Sequence, residues 1–187
     1  MEQVILVDEY DNEKGLMEKI EAHEKALLHR AFSVFIFNDK GEMLLQQRAF
    51  SKYHSGGLWS NACCSHPRYN ETILSAAKRR LKEEMGFHTC LQNVFQFTYK
   101  ASLDNGLIEH EYDHVLVGNY NGEVIANKNE VNAYAYKSMY HINETLHSDT
   151  KYYTAWFYIA FPKIFEWWTE NKVANNSLLQ TSFSFNM

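Results

Sequence analysis

The sequence predicts an α/β (α+β) fold, a mixed β-sheet with helices against it. Three observations carry this: two pairs of apolar segments bracket polar turns, an amphipathic helix lies mid-chain, and an aromatic-rich helix lies near the C-terminus. No repeat, low-complexity tract or linker divides the 187 residues, so a single domain over 1–187 is expected.

The elements follow in chain order. Val4–Val7 is a short strand candidate ended by the polar run Asp8–Lys14, and Met17–Leu28, of mixed polarity, is a helix or an irregular arm. Ala31–Phe37 and Glu42–Gln47 flank Asn38-Asp39-Lys40-Gly41, which predicts a hairpin. Ser51–Pro67, with Gly56-Gly57, is expected to be mostly loop. Thr72–Met85 is the clearest helix: Ile73, Ala77, Leu81 and Met85 recur every four residues, and Gly86 is the stop. Val94–Leu103 and Glu109–Tyr120 surround Asp104-Asn105-Gly106, a second hairpin. Val131–Tyr136 alternates as a further strand, and Ala155–Trp168 reads as a helix interrupted near Pro162.

Composition narrows the partners. Hydrophobic residues make up 45% and aromatics 15%, enough to fill a core, and the net charge of −5 gives no reason to expect nucleic acid. A local basic pocket for a small anion remains compatible with that balance. Cys63, Cys64 and Cys90 are too few and too oddly placed for a disulfide framework, so reduced thiols and a cytoplasmic home are expected. Met1–Asp8 has no basic n-region, and no stretch is apolar and long enough to span a bilayer, so no membrane partner is expected.

The most specific feature runs from Ser65 to Phe87. Carboxylates one turn apart on a helix line up to hold a divalent cation, which can neutralise a diphosphate. Glu71, Arg79, Leu81, Glu83, Glu84, Gly86 and Phe87 occupy the positions of a Nudix box, so the segment resembles that motif and implies the Nudix fold, a mixed sheet sandwiched by helices. Two positions depart: Ser65 stands where the box has Gly, and Arg80 stands where its Arg-Glu pair has Glu. The second removes a ligand that Nudix hydrolases use for the water-activating metal.

Two further motifs are Asn61-Ala62-Cys63-Cys64-Ser65-His66-Pro67 and Glu109-His110-Glu111-Tyr112-Asp113-His114. Glu109 and Glu111, two apart on a predicted strand, face one side while His110 faces the other. With these motifs the chain, from about Lys19 to Trp156, closely resembles the type I isopentenyl-diphosphate delta-isomerases, in which a degenerate Nudix box serves isomerisation.

The resemblance implies a set of roles. His23, His29, His66, Glu109 and Glu111 would hold Mn²⁺ or Zn²⁺, a donor set suited to a first-row transition metal. Glu84, with the backbone carbonyl of Cys64, would hold Mg²⁺. Lys19, Arg48, Lys52, Ser65 and Arg80 would bind the diphosphate, Arg80 sharing a helix face with Glu84. Cys64 and Glu111 would handle protons, one delivering and the other removing in either order, with Glu111, assisted by Tyr99, favoured as the acid and Cys64 as the base. Trp156 would stabilise the carbocation through its indole face, which resists alkylation. Cys63 must point elsewhere, Cys90 reads as inert, and Trp59, Trp167 and Trp168 as packing.

The expected activity is therefore interconversion of isopentenyl and dimethylallyl diphosphate by a monomer or homodimer acting on a small molecule. Two other readings stay open on residues alone: a Nudix hydrolase of a nucleoside or other diphosphate, opposed by Ser65 and Arg80, and an inactive metal- or diphosphate-binding regulator, opposed by Cys64 and Glu111.

Overall fold

The computed structural model describes residues 2–148 and 151–183, with side chains to residue 171. Strand β1 (Gln3–Val7) pairs antiparallel with β2 (Glu13–Glu18), where the sequence offered only a polar run. The turn explains the pairing: Asp8 Oδ1 accepts the backbone N–H groups of Tyr10 and Asn12, and Asp11 adopts a left-handed φ of 65°. A short helix, α1 (Lys19–Glu24), follows at once, capped by the Glu18 carboxylate, which accepts from Glu21 N.

Strand β3 (His29–Phe37) is central. It turns through residues 38–41 into β4 (Glu42–Arg48), as expected, and runs parallel to β8 (Ile108–Asn119) from His29↔Glu111 to Phe37↔Asn119. The loop expected over 51–67 carries two three-residue strands, β5 (Trp59–Asn61) on β4 and β6 (Cys63–Ser65) on β3. Strand β7 (Leu91–Ser102) pairs antiparallel with β8 through the 104–106 turn, and β9 (Val131–Ser138) pairs with β4.

Alternation on β3 assigns the two faces of the sheet. Phe32, Val34 and Ile36 pack against Ala76, Ala77, Leu81 and Met85 of helix α2 (Ile73–Met85). Phe35 and Phe37 pack on the other side against helices α3 (Met139–Ser148) and α4 (Ala155–Phe183). Full burial of each large side chain contributes roughly 1.5–3 kcal/mol, so both layers are strongly held. Helix α2 begins at Thr72, whose hydroxyl accepts from Ser75 N, and ends at Gly86 with φ 80°; a Cβ there would lie 2.2 Å from Ile125 O.

Two expectations change. Helix α3 was not anticipated, and α4 runs through Pro162 without interruption. Proline forfeits one N–H bond, but here it sits on the exposed side while Phe161 and Ile164 carry the buried face. Among the described residues no helix is long and apolar enough to cross a membrane.

Candidate active site

The site starts as a row across three strands. His29 on β3 registers with Glu111 on β8, and Glu111 registers with Tyr99 on β7, so the three side chains share the face toward α4. Tyr99 Oη lies 2.7 Å from Glu111 Oε2 and 3.0 Å from Glu109 Oε2. Burial pushes Glu109 well above the usual carboxylate range, and the neighbouring Glu111 charge pushes the same way. Burial also opposes ionisation of Glu111, but the adjacent His29 and His66 imidazoles outweigh it and hold that carboxyl well below its ordinary value.

Three imidazoles converge on Glu111. His66 Nε2 is 3.0 Å from Glu111 Oε1 and His29 Nε2 is 3.5 Å away. His23, from α1, completes a group whose potential ligand atoms all lie within 4.8 Å of one another. The Nδ1 of His23 donates to Lys19 O (2.6 Å) and the Nδ1 of His29 to Leu27 O (2.8 Å), which leaves each Nε2 with a lone pair. Burial lowers the His23 pKa to about 4 and lowers that of His66, so the rings are neutral near pH 7. His29 Nε2 is buried with no hydrogen-bond partner. A buried, unpartnered acceptor amid two neutral imidazoles and a carboxylate is what a divalent metal would satisfy, and the donor set fits one. Glu109 lies outside this four-residue group and reaches it only through Tyr99.

Strand β6 separates the two adjacent cysteines. Cys63, opposite Val34, faces α2, fully buried, with Sγ 3.4 Å from Glu84 Oε1. Cys64, opposite Ser33, faces the other way; Sγ donates to Asn61 Oδ1 (3.1 Å) and lies 3.4 Å from Ser33 Oγ. Ser33 in turn donates to the buried Asp113 carboxylate at 2.8 Å. Burial and the Asp113 charge raise the Cys64 pKa, so the free protein carries a thiol there.

A cationic end adjoins. Arg80 donates to Glu84 Oε1 (2.7 Å) and Glu83 Oε2 (2.6 Å), while Gln46 donates to Glu84 Oε2 at 2.9 Å. Arg79 grips Glu71 through Nε and a terminal nitrogen, both at 2.8 Å, so these two box residues brace the segment after His66-Pro67 rather than reach the cavity's acids. Lys52 pairs with Glu130, and Lys19 with Glu2 at 2.5 Å. The Arg48 guanidinium lies 5.1 Å from the centre of a Trp156 ring, whose Nε1 donates to Ser60 Oγ at 2.8 Å.

His23, Cys64, His66, Glu109, Glu111 and the cationic end line one cavity of about 590 Å³. Every site residue expected from the sequence lines it except His29, the fully buried member of the metal-type group. Sequence reasoning gave no role to Ser33, Gln46, Asn61, Asp113, Glu130 or His54. Asn61 and Asp113 stood inside the quoted motifs, a usable signal; the others come from distant segments with no local pattern.

Comparison with known proteins follows the same lines. A family model described as NUDIX domain matches residues 27–157. The Isopentenyl-diphosphate Delta-isomerase of Pectobacterium atrosepticum is 51% identical over 166 residues, covering 89% of this chain and 93% of its own. The protein of that name from Serratia proteamaculans is 48% identical, covering 83% and 87%. Among solved structures, DR0079 from Deinococcus radiodurans superposes with a TM-score of 0.72 at 15% identity over 87% of this chain and 98% of its own, a likeness of fold alone. MutT protein from Methanosarcina mazei Go1 gives 0.60 at 18%, over 78% and 95%. The chain belongs to the isopentenyl-diphosphate Delta-isomerase family of NUDIX-domain proteins.

Proposed function

We propose that this protein interconverts isopentenyl diphosphate and dimethylallyl diphosphate. The observation that carries the reading is the meeting, in one cavity, of Cys64 and the Tyr99–Glu111 pair with Trp156 and four basic side chains, Lys19, Arg48, Lys52 and Arg80. The cations, with Ser65, anchor the diphosphate, and the hydrocarbon tail lies between Cys64 and Glu111.

The reaction adds a proton to the terminal alkene carbon and removes one from C2, so the net proton count is unchanged. Cys64 and Glu111 suit that balance, because together they hold one exchangeable proton: burial keeps the thiol protonated, and the histidines keep the carboxylate ionised. The order expected from sequence, with Glu111 giving and Cys64 taking, then requires this proton to cross to Glu111 when substrate binds. Tyr99, itself held protonated by burial, orients the Glu111 carboxylate. The Trp156 indole, fixed by Ser60, presents a quadrupole to the tertiary cation.

His23, His29, His66 and Glu111, with Glu109 beside them, would hold Mn²⁺ or Zn²⁺, which supplies a fixed positive charge that tunes Glu111. Glu84 and the Cys64 carbonyl would hold Mg²⁺ with the diphosphate. The three free thiols suit a reducing compartment, the cytoplasm.

Conversion in heavy water tests the proposal. The expected product is dimethylallyl diphosphate carrying deuterium, with no phosphate or pyrophosphate released. Steady phosphate or pyrophosphate release with no deuterated allylic product would restore the hydrolase reading.

A further inference from the structure

Two carboxylates that line the cavity, Glu2 and Glu130, have no part in that mechanism. Glu130 stands in the turn immediately before β9, and its backbone is pinned on both sides: its carbonyl accepts from Ala49 N at 2.9 Å and its N–H donates to Asn127 O at 2.9 Å. From this fixed point its side chain pairs with Lys52 and places Oε1 3.5 Å from Arg80. These are two of the cations assigned to the diphosphate, and Glu130 lines the cavity beside them.

We propose that Glu130 is an internal stand-in for the substrate's diphosphate, occupying Lys52 and Arg80 in the free protein and yielding them when the diphosphate arrives. The inference rests on the diphosphate reading of the cavity and goes beyond it. A carboxylate paired with Lys52 and 3.5 Å from Arg80 competes with a phosphate oxygen for the donors of both cations. Arg80 is also bonded to Glu83 and Glu84, so its release to a diphosphate requires only that its contact with Glu130 break. The exchange has two consequences. Lys52 is spared desolvation without a partner in the empty pocket, and every diphosphate binds less tightly than the bare cations would allow, which speeds release of product. Glu130 is thus a positioning residue that sets affinity without touching the reacting carbons.

Titration calorimetry with inorganic pyrophosphate, without divalent metal, tests this on the native protein and on Glu130→Gln. Glu130→Gln should bind about tenfold tighter, the scale of one hydrogen bond to a charged group. Glu130→Asp, too short to span both cations, should fall between the two. In a Lys52→Met background the difference between Glu and Gln at 130 should shrink toward none. Turnover of Glu130→Gln should show a lower KM with no rise in kcat. Unchanged or weaker pyrophosphate binding by Glu130→Gln would overturn the proposal and make Glu130 a brace or a metal ligand. Failure of the underlying reading looks different: native protein and Arg80→Gln would then bind pyrophosphate equally.

Discussion

Replacing Tyr99 by Phe removes one oxygen atom from the end of the row proposed to handle protons. The ring would keep its place, since it packs in the α4-side core with its centroid 5.7 Å from that of Phe97. What is lost is the hydroxyl at 2.7 Å from Glu111 and 3.0 Å from Glu109. A hydrogen bond to a charged group is worth roughly 1.5–3 kcal/mol. Glu111 retains His29 and His66, and Glu109, already pushed toward its neutral form, loses less than a full charge's partner. The cost should therefore lie low in the range, at about 2 kcal/mol, which corresponds to roughly a thirtyfold fall in turnover if the bond to Glu111 is made in the transition state. The assay is deuterium incorporation into dimethylallyl diphosphate at saturating substrate, with metal content measured on the same samples. A kcat within threefold of native, or a loss matched by lost metal, would refute the orienting role of Tyr99.

Three other outcomes follow from the same geometry. His66→Ala should lose the tightly bound transition metal, read by elemental analysis, and activity with it; full metal and activity would remove His66 from the ligand set. Cys64→Ala should lower turnover at least about a hundredfold, the scale of removing an acid or base, with substrate binding largely kept. Cys63→Ala, on the opposite sheet face, should cost only packing, and equal effects on turnover would mean the wrong thiol was chosen. Burial, aided by the Arg48 charge, holds the His54 pKa down at about 3, against an ordinary value of 6.5. Between those values the unfolded chain binds the extra proton, so stability falls as pH is lowered through that window. The drop in Tm from pH 7 to pH 4 should be shallower in His54→Phe than in the native protein; an identical slope would show that His54 is not responsible.

Much of the site was legible because its chemistry is packed into short runs. Asn61–Pro67 and Glu109–His114 each bring several functional side chains on a few residues of strand, and period-two alternation alone separates Glu109 and Glu111 from His110. Helix α2 was legible from its four-residue spacing and its Thr72 and Gly86 ends. Strand β2 was hidden because Asp8, Asp11 and Asn12 make a polar turn that masks the pairing on either side. Strands β5 and β6, three residues each, carry no period long enough to read. Glu130 and Ser33 were invisible for a different reason. Each meets its partner across 31 to 80 residues of chain, and nothing local marks a glutamate or a serine as facing a cation or a thiol.

The exchange of Glu for Arg at position 80 makes sense only with the sheet in view. Position 80 lies on the α2 side, where its guanidinium holds Glu83 and Glu84 and meets Glu130. A hydrolase needs carboxylates here, since water attack at phosphorus requires metal-held hydroxide. A cation in that place repels such a metal and favours an intact diphosphate. The proposed proton chemistry lies across β6, on the α4 side, where Cys64, Glu111, Tyr99 and Trp156 face the cavity. The same three-residue strand thus places Cys63 against Glu84 and Cys64 against Ser33 and Asn61. In the proposed reaction one side grips the anion and the other works on the hydrocarbon. Moving reactivity from the phosphate to the tail therefore needs no new fold, only a cation on one face of the sheet and a thiol opposite a carboxylate on the other.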